Sequence, residues 1–280
     1  RQVATQLVLV GLDPVGLPHH MGPGGHHLGL PAHQHRKMRR QHLDRPLPGA
    51  GAQRHANHRH GLQQLLRDLQ AQGTRWIINT GRDLTSLMET LARARLEVRP
   101  DYLVLVEREI YLHQGHQYVP LESWNQRCHD AHAQLFARVR SDVPRLTAWI
   151  DERFDADVYE DPWSPLCLIA RTNPDADAIE SFLLDYCRTV PELTLMRNDV
   201  YARFSHADFS KGTALREIAR HAGVDRTGIF AVGDHFNDLP MLDLAVAGHL
   251  ATPSNAMPEV KAAVSRQGGY VCQAARGGGV

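Results

Sequence analysis

The sequence predicts an α/β protein: a largely parallel sheet covered by helices, interrupted by an inserted α+β module. Three observations predict it. Between residues 61 and 112, and again after 205, short apolar runs of strand length alternate with segments of helical period. Between those stretches, residues 113–204 read as helix, strands, helix and hairpin, without strand–helix–strand crossovers. The chain has 280 residues, enough for one large domain or two modest ones.

The first candidate strand is Leu7-Val8-Leu9-Val10. From Pro14 to His60 the text turns to Pro, Gly, His and Arg without hydrophobic period. Of the 18 histidines, ten lie in the first 60 residues, before the first aromatic residue, Trp76, and the first Glu, Glu89. Such a stretch buries too little apolar surface to offset the entropy of ordering, so irregular structure is expected there. A second reading is a metal-binding tract built on His19-His20, His26-His27, His33/His35 and His55/His58/His60, though no Cys or carboxylate joins them at zinc-site spacing. A third is an out-of-frame translation, since 28 of the 31 basic residues are Arg, as a GC-rich coding sequence would give.

Order resumes at Gly61. Leu62, Leu65, Leu66 and Leu69 have helical spacing, closing near Gly73. Arg75 to Asn79 is a short apolar strand, Thr80 to Asp83 a turn, and Leu84 to Ala94 an amphipathic helix with Asp83 as N-cap. Tyr102 to Val106 is an apolar strand, and Glu109 to Leu112 with Gln117 to Val119 resembles a hairpin. The module that follows has helices over Ser123–Val139, Pro144–Phe154 and Asp175–Arg188. Its strands fall at Val158-Tyr159 and Leu166–Arg171, with a hairpin of Leu193–Arg197 and Val200–Phe204 around Asn198-Asp199. The last third holds a helix over Ser210–His221 closed by Gly223, a buried strand over Gly228–Val232, and helices over Leu239–Ala245 and Ala256–Val264. This gives a split core, residues 1–112 with 205–280, around an insert at 113–204.

Net charge is zero, with 31 basic and 31 acidic residues, so binding of a polyanion by bulk charge is not expected. No apolar run approaches 18 residues and no signal peptide is visible, so no membrane partner is expected. The four cysteines, Cys128, Cys167, Cys187 and Cys272, form no CxxC pair and read as reduced thiols of a cytoplasmic protein.

Three segments carry chemistry. In Ile229-Phe-Ala-Val-Gly233-Asp234-His235-Phe236-Asn237-Asp238, an apolar strand runs into hard oxygen donors. Ligands of doubly wound sheets sit at that end of a strand, and Asp234, Asn237 and Asp238 suit Mg²⁺. Asp238 could equally cap the helix that follows. Asn79-Thr80-Gly81-Arg82 sets a hydroxyl and a flexible amide at a helix N-terminus, either a phosphate site or an ordinary turn. Lys211, one of three lysines, falls in a first helical turn behind the N-cap Ser210, where the helix dipole disfavours a cation; neutralising a phosphate would explain it.

Thr80, Lys211 in Phe209-Ser-Lys-Gly-Thr-Ala-Leu215, and Gly233-Asp234-His-Phe-Asn237-Asp238 occur in the order of motifs two, three and four of the haloacid dehalogenase superfamily. The chain resembles most its Cof-type and sucrose-phosphatase-like phosphatases. Ser254-Asn255-Ala256 and Gly268-Gly-Tyr-Val271 resemble that family's closing segment. The resemblance spans roughly 61–280 and implies a Rossmann-like parallel core, with the insert as an α+β cap domain that closes over a substrate. It implies a Mg²⁺-dependent phosphate monoester hydrolase acting on a sugar phosphate or similar small metabolite. Thr80 and Lys211 would be catalytic, and Thr80, Gly81, Arg82 and Lys211 would bind substrate. Asp13, Asp234, Asn237 and Asp238 would hold the metal or support it. Motif one departs from the family: where an apolar strand should lead into Asp-x-Asp-Gly-Thr, this chain has Gly11-Leu12-Asp13-Pro14-Val15. Asp13 then falls at the acid/base position and Gly11 at the nucleophile. The alternative is a non-catalytic scaffold that binds a phosphorylated ligand or partner. A weaker third reading is nucleic-acid or metal binding through the histidine-rich stretch and Arg36-Lys37 with Arg39-Arg40.

Overall fold

The computed structural model describes residues 7–11, as backbone, and 61–274. The expectation for 14–60 and the position of Asp13 lie outside the described residues. β1 (Leu7–Gly11) is followed by α1, described over 61–71, then β2 (Arg75–Asn79), α2 (Leu84–Ala94), β3 (Tyr102–Leu105), β4 (Glu109–Gln114) and β5 (Gln117–Pro120). The inserted segment holds α3 (Glu122–Val139), α4 (Val143–Asp151), β6 (Ala156–Asp161), β7 (Ser164–Ala170), α5 (Asn173–Cys187), β8 (Leu193–Asn198) and β9 (Tyr201–His206). The chain then returns through α6 (Lys211–Ala222), β10 (Ile229–Val232), β11 (His249–Thr252), α7 (Pro258–Arg266) and β12 (Tyr270–Val271).

Eight of these strands form one sheet in the order β12-β11-β10-β1-β2-β3-β4-β5. It is parallel from β12 to β3, and β4 and β5 add an antiparallel edge. The parallel strands are apolar because both their faces are covered. Alternate residues go to opposite helix layers: Ile77 and Val104 pack with Leu215 and Ile218 of α6, while Trp76, Ile78, Leu103 and Leu105 pack with Leu66 and Leu87. Each such side chain removed from water contributes about 1.5–3 kcal/mol.

The insert forms a second sheet, antiparallel, in the order β6-β7-β9-β8. One face is backed by α3, α4 and α5 through Leu135, Leu146, Ile179, Leu183, Leu168 and Phe204. The α/β core with an inserted α+β cap is therefore the observed architecture. Two details differ from the sequence reading. The hairpin β4–β5 extends the core sheet beyond residue 112, so the insert begins at α3. Residues 239–245 form turns rather than a helix, after a 3₁₀ turn over Phe236–Asp238. There the Asp238 carboxylate folds back to accept the amides of Asp234 and His235, capping the 3₁₀ turn.

The expected caps are present. Asp83 accepts the Ser86 amide, Ser210 and Thr213 form a reciprocal capping box, and Gly223 closes α6 at φ 66°. Where α2 ends, by contrast, an exposed Arg95 adopts φ 50°.

Both chain passages between the two sheets meet at His132 on α3. Its Nδ1 lies 2.7 Å from the Cys128 carbonyl, so Nδ1 carries the proton and donates. That leaves Nε2 to accept the His206 amide of the other passage at 3.2 Å. His132 is buried. Burial first, and then the nearby Arg108, His206 and Arg203, outweigh the Cys128 hydrogen bond and push its pKa down to about 3.

Two outcomes follow from these local features. Arg95→Gly should stabilise the protein by about 1 kcal/mol, because glycine adopts the left-handed conformation without a Cβ penalty; chemical denaturation measures it, and an unchanged midpoint would contradict the strain. His132 protonates near 6.5 when unfolded and only near 3 when folded, so its contribution is present above about pH 6.5 and is lost on acidification. Between pH 7 and 5.5 the loss should be about 1 kcal/mol. Urea unfolding at both pH values should show that increment in the unaltered chain and not in His132→Gln.

Candidate active site

The carboxyl ends of the parallel strands gather the three expected segments. Thr80 follows β2 directly and is fully buried. Its amide donates to the Val104 carbonyl, and its hydroxyl accepts the Arg82 amide at 3.2 Å. Gly233 and Asp234 follow β10. β1 lies between β10 and β2, with Gly11 level with Asn79 and one residue beyond the Val10–Val232 pair. Position 11 therefore stands at the sheet's carboxyl edge between the two segments.

Lys211 arrives from α6. Its side chain is wholly buried, and Nζ donates to Asp238 Oδ1 at 2.7 Å. Asp238 Oδ2 accepts the amides of Asp234 at 2.8 Å and His235 at 3.1 Å. The Lys211 carbonyl accepts Asn79 Nδ2 at 3.0 Å. Two glycines make this approach possible. A Cβ on Gly212 would lie 2.0 Å from the Pro240 carbonyl oxygen, and one on Gly233 would lie 2.5 Å from Asp238 Cβ. Neither position has room for a side chain.

Among the expected metal ligands, Asp234 is half-buried at the edge. Asp238 has both oxygens committed as above. Asn237 donates from Nδ2 to Glu107 Oε1 at 2.6 Å. Among the described residues no three His, Cys, Asp or Glu side chains gather at one point. Gly81 lies beside Glu107, and the Arg82 guanidinium, from just before α2, donates to Ser86 Oγ in its first turn at 3.0 Å.

Glu107 and Arg203 escaped the sequence reading. Glu107 is 4% exposed, at a turn where Val106 and Glu107 adopt φ 44° and 67°. Such conformations cost roughly 1–3 kcal/mol each and persist only where surrounding contacts impose them. Arg203 on β9 of the cap donates from Nη2 to the Val106 carbonyl at 2.6 Å and to Glu107 Oε2 at 3.1 Å. Burial alone would lower the Arg203 pKa, but Glu107, Tyr201, Asp161 and Cys167 together hold it above its ordinary value. The positive φ at two successive non-glycine residues has no sequence signature, and the pair lies 96 positions apart.

Residues 146–275 match the family model described as haloacid dehalogenase-like hydrolase, and residues 38–153 match that of sucrose-6F-phosphate phosphohydrolase. Each match spans less than half of the chain, and the two together support a haloacid dehalogenase-like hydrolase. Among curated proteins, the YxeH protein of Bacillus subtilis, a phosphatase by name, is 37% identical over 62 residues, 22% of each chain. A phosphoglycolate phosphatase of Methanothrix thermoacetophila is 28% identical over 130 residues, 46% of this chain and 54% of the relative. The chain thus matches between about a fifth and about half of the length of these relatives. The sucrose-phosphatase of a Synechocystis species, solved with sucrose and phosphate, superposes with a TM-score of 0.61 at 20% identity, over 80% of this chain and 88% of that one. The YhjK hydrolase-like protein of Bacillus subtilis gives 0.53 at 15% identity, over 99% and 88%. These likenesses carry the fold.

Gly212→Ala should drive the α6 N-terminus off Pro240 and cost about 1–3 kcal/mol of overpacking strain. It should also separate Lys211 from Asp238. Denaturation midpoints of Gly212→Ala against Gly223→Ala, whose Cβ would meet nothing, compare a steric site with one limited only by φ; equal losses would refute the close approach.

Proposed function

We propose that this chain carries a phosphate monoester hydrolase site of the haloacid dehalogenase type, directed at a sugar phosphate or similar small metabolite, whose turnover is curtailed by Gly11. The observation that supports it most is the meeting of Thr80, the Lys211–Asp238 pair and Asp234 around the end of β1, the strand where this family carries its nucleophile.

In this reading the Thr80–Gly81 segment seats the phosphoryl group at the N-terminal end of α2, where backbone N–H groups and the helix dipole favour an anion. Lys211 neutralises charge on the equatorial oxygens, held in place by Asp238. With a carboxylate at position 11 to attack phosphorus, Asp13 would protonate the departing oxygen and then take a proton from the water that hydrolyses the acyl-phosphate. A Mg²⁺ ion, held by Asp234 and Asp13 with Asn237 and Asp238 behind them, would supply further neutralisation of phosphoryl charge. The cap shields the site from water and selects the leaving group. The missing part is a carboxylate at position 11, without which no acyl-phosphate can form. A second reading rests on that same glycine: a phosphatase-like scaffold that binds a phosphorylated ligand or partner without hydrolysing it.

Loss of a nucleophile costs several powers of ten in rate, about the effect of dismantling a catalytic triad. The unaltered chain should therefore turn over p-nitrophenyl phosphate only marginally, even at saturating Mg²⁺. Gly11→Asp combined with Pro14→Gly and Val15→Thr should restore Mg²⁺-dependent turnover, and Asp234→Ala should then abolish it. Full activity in the unaltered chain would place the nucleophile elsewhere. Phosphate binding without turnover in the triple variant would favour the scaffold.

A further inference from the structure

Glu107 divides one buried carboxylate between three parts of the molecule. Oε1 accepts the amide of Asn237, in the loop after β10. Oε2 accepts Arg203 from the cap. Its backbone N–H donates to the Thr80 carbonyl at 2.9 Å, and its carboxylate lies against Gly81, 3.4 Å from where a Cβ there would stand. A second cap arginine, Arg197, bears on the same loop, with its guanidinium 5.9 Å from the centre of the Phe236 ring. Asp177 and Glu180 hold Arg197 in that position, each at 2.6 Å.

A carboxylate beside the Thr80–Gly81 segment repels any anion bound there. In this structure the Arg203 guanidinium cancels that charge, and Arg203 comes with the cap. We infer that Glu107 is a positioning residue that couples seating of the cap to the anion affinity of the core and to the order of the 234–238 loop. With the cap lifted, Glu107 keeps an uncompensated charge next to the phosphate segment and its hold on Asn237 loosens. With the cap seated, Arg203 takes up that charge. An anion then binds the seated state better, and by reciprocity its binding draws the cap down. The strained turn at Val106–Glu107 fits this role, because it is what brings the carboxylate to Gly81 while leaving the Val106 carbonyl for Arg203. The inference rests on the phosphate reading of the Thr80–Gly81 segment for its ligand, though not for the link between cap and loop.

The test uses the full chain, with inorganic phosphate as the probe. Calorimetry reads affinity, and hydrogen exchange reads the amides of residues 234–238. Arg203→Met should weaken phosphate binding about tenfold and speed exchange at those amides. Glu107→Gln keeps an acceptor for Asn237 without the charge and should bind phosphate at least as tightly as the unaltered chain. Glu107→Gln with Arg203→Met should return affinity to within about threefold of the unaltered chain, because the two effects share one pair. A double variant as weak as Arg203→Met alone would overturn the inference and leave Arg203 as a buttress. If the unaltered chain binds no phosphate, the functional reading fails and hydrogen exchange decides the inference: faster exchange at 234–238 in Arg203→Met upholds the link, and unchanged exchange overturns it. Should Arg203→Met not fold, Glu107→Gln alone decides, and weaker phosphate binding than the unaltered chain refutes the charge coupling.

Discussion

The direction of the Asp238 carboxylate governs the rest of the site. With 1% of its surface exposed, this group must have every oxygen satisfied, and it does so by gathering Lys211 on one oxygen and the amides of Asp234 and His235 on the other. Those contacts join the N-terminus of α6 to the loop after β10. They also offset what each partner loses by burial: Lys211 sits wholly dry in a first helical turn, where the dipole works against a cation. Removing one member of such a buried pair generally costs about 3–5 kcal/mol, because the other charge is stranded. The glycines follow from the same constraint. Gly212 and Gly233 are the positions at which the two segments come too close for a Cβ.

Much of the fold was legible because its signals are local. The apolar runs at 76–78, 102–105 and 229–232 are covered on both faces, and no surface requirement interrupts their sequence. Asp83, Ser210 and Gly223 declare helix ends through side-chain and backbone chemistry within four residues. The hairpin of β4 and β5 was legible as a hairpin, but its membership of the core sheet was not, since pairing with β3 is set by the Val106–Arg108 turn. The expected helix at 239–245 rested on the apolar spacing of Leu239, Met241 and Leu242, and those residues bury themselves from a run of turns instead.

The same distinction separates the parts of the site. Thr80, Lys211 and Asp234 were readable from motifs, each a few residues long, and the sheet then brings their segments to one edge. Glu107 and Arg203 were unreadable because each makes sense only through the other. Val106 reads as the last apolar residue of a strand, yet it adopts a positive φ that β-branched residues avoid. Arg203 reads as a polar residue in an alternating strand. A buried charge with its partner in another sheet leaves no periodicity behind.

Gly11 is the place where fold and chemistry separate. β1 needs only backbone pairing with β2 and β10, and Leu7 to Gly11 supply it. A carboxylate at its end contributes nothing to that pairing, so its loss leaves the architecture standing. Its electrostatic consequence runs the other way. An aspartate at position 11 would repel a bound phosphate dianion, and an active enzyme offsets that repulsion because attack by the carboxylate lowers the barrier. Glycine removes both effects. The remaining charges at the edge are largely paired within the protein, Lys211 with Asp238 and Glu107 with Arg203. On the proposal that position 11 is the nucleophile's, a glycine there would remove the covalent step together with a repulsion that phosphate binding must otherwise overcome, so the same residue would disfavour turnover and favour retention of a phosphorylated ligand.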